Sequence, residues 1–235
     1  MKKELRCIHR HTFDEHPSCF YNGLVKTDKL WFIEQGLKVG YLDIETTNLK
    51  ADIGFMISWC VKERGGEVFH DIITKDEIFN LEFDKRIVKS LLDTLDNFDI
   101  LVTYNGTYFD IPFINTRALL YGSDTVTSYK TNVIAKDTKN GTKFVEKVMP
   151  KFFHWDLYFT VKSKLRLRYN SLKVVTQFLG INGKTDIDVS VWQKAQYGDQ
   201  KSLREVLFHN KGDVVILERL HNRLIEFNKW AKKGA

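Results

Sequence analysis

The stretch LKVGYLDIETT, residues 37–47, decides the fold of this chain and holds its most informative polar residues. It is an apolar run rich in β-forming residues that stops at a polar patch, and this pattern predicts a buried strand. Alternation along a strand places Asp43 and Glu45 on the same face. Two neighbouring carboxylates repel each other unless they face water or a cation. The pair therefore indicates either a solvated strand end or a cation site.

The segments around this strand predict an α/β architecture. The glycines of Arg64-Gly65-Gly66 indicate a hairpin turn, and Asp84 is the expected N-cap of the first long helix. Further strands are predicted at residues 53–62, 67–73, 99–106 and 152–157, and helices at 83–98 and 110–122, with mainly helical chain from about 171 and a long last segment at about 201–232. This order predicts a mixed sheet flanked by helices.

The predicted domain organisation is one main domain, residues 38–235, after an irregular extension at residues 1–37. A polar, Lys-rich segment at 123–151 is expected to be an insertion in that domain. Within it, Asn140-Gly141 indicates the turn of a hairpin. This hairpin is either a clamp for a nucleic-acid strand or an insertion without a function.

The charge balance favours a polyanionic partner. Lys and Arg number 36 against 30 Asp and Glu, which gives a formal charge of +6. Contacts from Lys and Arg to phosphates supply most non-specific affinity for nucleic acid. The alternative is a basic protein that its charge keeps soluble.

Composition also indicates an intracellular, cytoplasmic protein. No apolar run approaches the roughly 18 residues of a membrane span, so no membrane association is expected. The N-terminus MKKELRCIHRHTF lacks the apolar region of a signal peptide. Three cysteines are too few for a disulfide framework, which agrees with a reducing compartment.

Two further acids follow apolar segments elsewhere in the chain. Asp110 comes directly after Tyr104-Asn105-Gly106 and begins a predicted helix, where a plain N-cap is the alternative to a site residue. Asp213 lies among apolar neighbours in the last helix, and a buried acid there requires a cation or hydrogen-bond donors. Four carboxylates with no Cys or His set beside them suit Mg²⁺ or Mn²⁺. A pair of such ions serves phosphoryl displacement.

Four segments resemble motifs of the DEDD-type 3′–5′ exonucleases of the ribonuclease H-like superfamily, and are most similar to stand-alone relatives of the exonuclease domain of family-B DNA polymerases. They are YLDIETT (41–47), YNGTYFDIPFI (104–114), YNSLKVVTQFLGI (169–181) and HNKGDVVIL (209–217). The resemblance spans roughly residues 38–225. It implies a ribonuclease H-like α/β fold and two-ion hydrolysis of phosphodiester bonds from the 3′ end of nucleic acid, with single-stranded DNA as the first-choice substrate.

The resemblance also implies roles for the acids. Asp43 would bridge the two ions, Glu45 and Asp213 would bind the ion on the nucleophile side, and Asp110 would hold the second ion, partly through water. One position departs from the family pattern, because His209 stands four residues before Asp213 where a tyrosine is usual. His209 is either a general base or a polar substitute that leaves the attacking water to the metal.

Candidates for substrate binding lie beside the motifs and in one basic segment. Thr46, Asn105 and Phe109 adjoin the acids. In VKSKLRLRY (161–169), extended chain would place Lys162, Lys164, Arg166 and Arg168 along one edge. That edge would be either a strip that tracks phosphates or a solvated surface strand. Asp156, at the end of another predicted strand, is expected to cap or to make local hydrogen bonds.

The N-terminal extension concentrates potential zinc ligands. Cys7, His16, Cys19 and one of His9 and His11 suffice for a structural Zn²⁺ site, with His11 taken as the third ligand. The spacing matches no specific zinc-finger pattern. The alternative is an extension whose histidines cap, pack or face solvent.

Two other functions fit the same residues. A ribonuclease H-like endonuclease that cuts RNA, branched or hybrid nucleic acid would share the chemistry of the site. A nucleic-acid-binding module with a decayed site is the non-enzymatic alternative, against which the presence of all four acids argues.

Overall fold

The computed structural model describes residues 5–21, 25, 30–126, 129–138, 141–183, 186–225 and 227. Between residues 127 and 150, Phe144 is the one residue whose side chain it describes. The strands are β1 (Val39–Thr46), β2 (Met56–Glu63), β3 (Val68–Ile72), β4 (Ile100–Thr103), β5 (Tyr129–Thr138), β6 (Gly141–Pro150) and β7 (Phe153–Asp156). The helices are α1 (Pro17–Tyr21), α2 (Trp31–Glu34), α3 (Lys75–Phe79), α4 (Lys85–Leu95), α5 (Asp110–Leu120), α6 (Leu157–Lys164), α7 (Leu172–Phe178), α8 (Val189–Ala195) and α9 (Gln200–Leu224).

The main sheet is mixed and five-stranded, in the order β3-β2-β1-β4-β7. Strand β1 pairs antiparallel with β2 and parallel with β4, and β4 pairs parallel with β7. Helices flank this sheet, which confirms the predicted α/β, ribonuclease H-like class. The central position of β1 explains its apolar sequence, since a strand with neighbours on both sides and helices on both faces is largely buried. Only Asp43, Glu45 and Thr46, towards its carboxyl end, are partly exposed.

The two faces of β1 contribute to two apolar cores. Leu42 and Ile44 belong to a core that includes residues of α4, whereas Val39 and Tyr41 belong to a core that includes residues of α9. Each core forms because successive side chains of a strand point to opposite faces. Asp43 and Glu45 continue the Tyr41 side of the strand and therefore lie towards α9.

Asp84 occupies the N-cap position of α4, as predicted, but its carboxylate has other partners. Its carboxylate makes no capping hydrogen bond at α4. It accepts instead from the Arg117 guanidinium, with Nη2 to Oδ1 at 2.6 Å, and from the backbone N–H of Met56 at 2.8 Å. Both members of the ion pair are buried, Asp84 completely. The pair ties α5 to the start of α4 and β2.

The basic segment 161–169 does not form the edge expected for extended chain, and that expectation was wrong. Lys162 and Lys164 lie in the last turn of α6, which ends at Lys164, and the chain beyond is irregular. The helix begins here because Asp156 caps it, accepting from Tyr158 N at 3.0 Å. The expected capping role of Asp156 is thereby confirmed.

The Lys-rich insertion contains an antiparallel hairpin of β5 and β6, from Tyr129 paired with Pro150 to Thr138 paired with Gly141. Asn140 of the predicted turn lies outside the described residues. Among the helices described, none is long and apolar enough to cross a membrane.

The buried pair generates a stability prediction. Arg117→Ala leaves the Asp84 carboxylate buried without its cation, and breaking a buried pair in this way costs about 3–5 kcal/mol. Urea unfolding followed by circular dichroism measures the change. Lys173→Ala removes the exposed partner of Asp186 and is the control, with an expected cost of at most about 1 kcal/mol. Equal costs for the two variants would contradict a buried pair.

Candidate functional site

Asp43 and Glu45 stand at the carboxyl end of β1, where the strand leaves regular pairing. The register with β2 shifts between Glu45 and Thr46. Asn210 of α9 donates from Nδ2 to Asp43 Oδ2 at 2.6 Å, and its own Oδ1 accepts from Ser58 Oγ at 3.2 Å. Asn210 is completely buried, so its amide is held by β2 on one side and orients Asp43 on the other.

The turn after β4 brings Asp110 to the same place. Asn105 has a left-handed backbone with φ +65°, and a Cβ on Gly106 would lie 2.4 Å from Thr103 Oγ1, so this tight turn excludes larger residues at 106. Asp156 holds the turn, because its carboxylate accepts from the backbone N–H groups of Asn105 at 2.8 Å and Thr107 at 2.9 Å.

Asp110 is the first residue of α5 and not its N-cap, which excludes the plain capping interpretation. The N-cap position belongs to Phe109. Asp110 Oδ1 accepts from the backbone N–H of Ile44 at 3.2 Å, between the two acids of β1. Burial is the main reason that the pKa of Asp110 is raised to about 7; the charge of Asp156 also raises it, and backbone hydrogen bonds, including that from Ile44, lower it. The protein thus holds this carboxyl where its charge requires compensation.

Helix α9 supplies the third segment of the site. His209 and Asp213 are one turn apart on the same face, and His209 Nε2 lies 3.7 Å from Asp213 Oδ2 and 3.8 Å from Glu45 Oε1. One possible ligand atom from each of these three residues lies within 4.8 Å of the other two. Asp199 caps α9, accepting from Ser202 N at 2.8 Å, and so fixes where the helix begins.

All five predicted catalytic residues line one cleft of about 630 Å³. Its lining is Asp43, Ile44, Glu45, Leu49, Lys50, Tyr104, Asn105, Tyr108, Phe109, Asp110, Trp192, His209 and Asp213. Of the residues predicted to bind substrate, Asn105 and Phe109 are present. Thr46 is not part of the lining, and its hydroxyl donates to the carbonyl of Asn48 at 2.8 Å.

The four predicted cations are not in the lining of this cleft either. Lys162 lies over the ring of Tyr158, 5.7 Å from its centroid, and Arg168 lies over Tyr169 at 5.3 Å. Arg168 lines a neighbouring cavity together with Tyr104 and Asn105. Lys162 and Lys164 lie in α6, whereas Arg166 and Arg168 lie in the irregular chain that follows the helix.

Several residues of the site carried no sequence signal strong enough to select them. Asn210 is the most important, although its place beside His209 in a helix with a buried acid was a usable clue. Trp192 reaches the cleft from α8 and lies edge-on to His209, with ring centroids 6.4 Å apart. Lys50 is the one basic side chain besides His209 among the described residues that line the cleft.

The donor set suits a hard divalent cation. Carboxylate oxygens are the preferred ligands of Mg²⁺ and Mn²⁺. Four acids in one cleft repel one another, and a cation relieves this repulsion while compensating the buried charge of Asp110. The residues present therefore fit the divalent ions that such an arrangement implies.

Comparisons with known proteins agree with this geometry. A family model described as the RNase_H superfamily matches residues 40–225. A DNA polymerase of Methanocaldococcus jannaschii is 31% identical over 121 residues, which make up 51% of this chain and 7% of that polymerase. The structure of the family B DNA polymerase from the hyperthermophilic archaeon Pyrobaculum calidifontis is also similar, with a TM-score of 0.60 and 20% sequence identity. The match covers 81% of this chain and 25% of the polymerase chain. The chain therefore spans a small part of each polymerase, and the structural match shows the fold alone.

The raised pKa of Asp110 generates a pH prediction for the metal-free protein. Between the ordinary value of 3.8 and about 7, folded Asp110 keeps a proton that the unfolded chain has released. The free energy of unfolding therefore falls as pH rises through this window. Asp110→Asn keeps an oxygen for the Ile44 N–H but cannot ionise, so it lacks this fall. Urea unfolding in EDTA at several pH values measures the difference.

The control for this measurement is Asp93→Asn, which alters an exposed carboxylate on α4 and should follow the native chain at every pH. Parallel curves for the native chain and Asp110→Asn would contradict the raised pKa.

Proposed function

The chain belongs to the RNase_H superfamily, and on that premise we propose that it is a metal-dependent 3′–5′ exonuclease that hydrolyses phosphodiester bonds of nucleic acid, with single-stranded DNA as its first-choice substrate. Membership supports a nuclease, and hence a nucleic-acid substrate. The observation that carries the proposal is the convergence of Asp43, Glu45, Asp110, His209 and Asp213 on one cleft. The similarity to the archaeal DNA polymerase supports the choice of DNA.

The proposed cofactors are two Mg²⁺ or Mn²⁺ ions held by the four carboxylates. Asp43 is the proposed bridging ligand, Glu45 and Asp213 the ligands of one ion, and Asp110 that of the other. When bound, such ions lower the pKa of water and compensate the charge of the phosphoryl oxygens. Asp110 can bind a cation well only after it loses its proton, so the buried acid couples ion binding to pH.

The chain's own residues orient the reacting groups. Asn210 fixes the Asp43 carboxylate, and the Ile44 N–H fixes that of Asp110, so neither acid has to be ordered when substrate binds. His209 Nε2 faces the space between Glu45 and Asp213, where it can accept the proton of an attacking water. Trp192, packed edge-on against the His209 ring, limits where that ring can move.

The lining of the cleft fits a nucleic-acid strand. Tyr104, Tyr108 and Phe109 enter it from the turn after β4, and Trp192 enters from α8. Aromatic faces stack on bases with little sequence preference, which suits an enzyme that shortens single strands of any sequence. Lys50 is placed to contact a phosphate, and the charge of +6 favours the approach of a polyanion.

The proposal predicts stepwise shortening of an end-labelled single strand. With Mg²⁺ or Mn²⁺, a 5′-labelled DNA strand should lose one nucleotide at a time, and EDTA should stop the reaction. Asp43→Asn should reduce the rate at least about 100-fold, because lost transition-state stabilisation of several kcal/mol has this effect. Denaturing gel electrophoresis of the products measures both.

Asp93→Asn is the control and should cut at the native rate. A 3′-phosphorothioate strand should resist shortening, and circular single-stranded DNA should stay intact. Internal cuts in the circle, or cutting only of RNA or hybrid strands, would replace the exonuclease with an endonuclease. No cleavage of DNA or RNA, with salt-sensitive binding retained, would indicate a binding module.

The role of His209 generates a separate prediction. If its imidazole accepts a proton, His209→Gln should lower kcat by about 100-fold with little change in KM, since general bases contribute about that much or more. The acidic limb of the pH–rate profile should change with it. His209→Tyr should keep more activity than His209→Gln, because a phenol can orient the same water. Equal kcat values for the native chain and His209→Gln would show that the metal alone activates water.

A further inference from the structure

Four cysteine and histidine side chains of the N-terminal extension lie close together, and none of them lines the carboxylate cleft. One ligand atom from each of Cys7, His9, His16 and Cys19 lies within 4.8 Å of the other three. His9 Nδ1 is 3.2 Å from Cys19 Sγ, and His16 Nδ1 is 3.3 Å from Cys19 Sγ and 3.9 Å from Cys7 Sγ. A tetrahedral zinc with Zn–S and Zn–N bonds of about 2.3 and 2.0 Å separates S and N by roughly 3.5 Å.

Two backbone turns hold these side chains in place. In the first, Arg10 N donates to Cys7 O at 2.8 Å and Cys7 N donates to His11 O at 2.9 Å, with Arg10 at φ +68°. In the second, His16 N donates to Thr12 O at 3.0 Å and Cys19 N to His16 O at 3.2 Å. Each turn presents one cysteine and one histidine. The ligand geometry is thus set by hydrogen bonds that leave the sulfur and ring nitrogen atoms to face one another.

We propose that Cys7, His9, His16 and Cys19 form a structural Zn²⁺ site. Thiolate and imidazole ligands in a tetrahedral S₂N₂ set select zinc over the Mg²⁺ or Mn²⁺ proposed for the carboxylates. Four protein ligands close the coordination sphere, which is the arrangement of structural and not of catalytic zinc. The structure places His9 in this cluster in place of the expected His11. Both histidines are exposed; the His9 ligand atom groups with those of Cys7, His16 and Cys19, whereas His11 Nδ1 lies 3.4 Å from His16 Nδ1.

Burial and charge agree with a bound ion. Cys7 is 4% and Cys19 3% exposed, and both are free thiols that belong to the apolar core on the α9 side. Two thiolates would carry a charge of about −2, which is costly in that surrounding, whereas Zn²⁺ with two thiolates and two neutral imidazoles is electrically neutral. The ion therefore allows both sulfurs to be thiolate ligands inside the core.

The site would fasten the extension to the main domain. Phe13, between the two ligand pairs in sequence, stacks on Trp31 at 5.4 Å and meets Phe153 of β7 edge-on at 6.1 Å. Within the extension itself, Cys7 forms an isolated antiparallel bridge with Val25. Strand β7 is the last strand of the main sheet, so the contact between Phe13 and Phe153 would fasten the extension to that end of the sheet.

Zinc content of the full chain tests the site. The protein is purified without chelators from cells supplied with zinc, and the metal is measured by inductively coupled plasma mass spectrometry. We expect about one zinc ion per chain, with loss of that ion in His9→Ala and in Cys19→Ser. His11→Ala is the matched control and should keep the zinc. If His11→Ala loses the ion and His9→Ala keeps it, the proposed ligand set is wrong.

Two measurements separate this site from the cleft, which also holds a histidine among acids. Asp213→Asn should keep the zinc ion, since none of the proposed ligands is altered. Chain refolded with Co²⁺ should show thiolate-to-cobalt charge-transfer absorption, which only the cysteine-containing site can supply, and this absorption should persist in Asp213→Asn.

A third measurement covers the case in which ligand variants do not fold. A zinc-selective chelator added to the native chain should lower the midpoint of thermal unfolding, and added Zn²⁺, but not Mg²⁺, should restore it. Zinc content far below one ion per chain, or a Cys7–Cys19 disulfide in place of zinc in the purified protein, would overturn the proposal. These readouts are independent of nuclease activity.

Discussion

The repulsion among acids gathered at the end of β1 is the constraint on which the arrangement of this molecule depends. Carboxylates in one partly buried cleft destabilise the fold unless their positions are enforced and their charge is met. The enforcement is specific: a buried asparagine holds Asp43, a backbone N–H of β1 holds Asp110, and Asp156 holds the turn that delivers Asp110. The scaffold thus uses its buried hydrogen bonds to hold in place acids whose combined charge a bound cation would compensate.

The sequence indicated the parts of the fold that local patterns determine. The alternation of β1 placed Asp43 and Glu45 on one side, and the apolar runs located the strands of the main sheet within a few residues. Contacts between residues far apart in the chain could not be predicted from the sequence. Asp84 stands at the N-cap position of α4, as predicted, yet the partner of its carboxylate, Arg117, lies 33 residues further on. A guanidinium that can neutralise a buried carboxylate outweighs the weak preference for a cap.

The candidate site shows the same division between local and distant information. Its acids were predicted from local patterns together with the resemblance to the DEDD-type exonucleases, whereas Asn210 acts through Asp43, 167 residues away in sequence. The expectation of extended chain at 161–169 was wrong for another reason. Alternating basic and apolar residues fit both a strand and the end of a helix, and the capping carboxylate of Asp156 favours the helix. In the extension, sequence spacing could not decide between His9 and His11, because the left-handed backbone at Arg10 sets which ring faces the cysteines.

Helix α9 contacts both the carboxylate cleft and the core that the N-terminal extension shares. Its register explains why the geometry of each depends on the packing of the core. It runs for 25 residues and places His209, Asn210 and Asp213 towards the cleft. Further along, Leu217, Leu220 and Leu224 enter the core that also contains Cys7, Cys19 and Trp31. His221 Nδ1 shares a hydrogen bond of 2.9 Å with the Tyr41 hydroxyl of β1. Burial keeps that imidazole neutral by lowering its pKa to about 3, so the contact persists at any pH at which the cleft can work. A shift of one residue along α9 would turn every one of these side chains by about 100°. The leucines of α9 that pack in the core shared with the extension therefore also fix the register of the helix. That register determines where Asp213 lies relative to Glu45, so the geometry of the cleft depends on the packing of the whole α9 face.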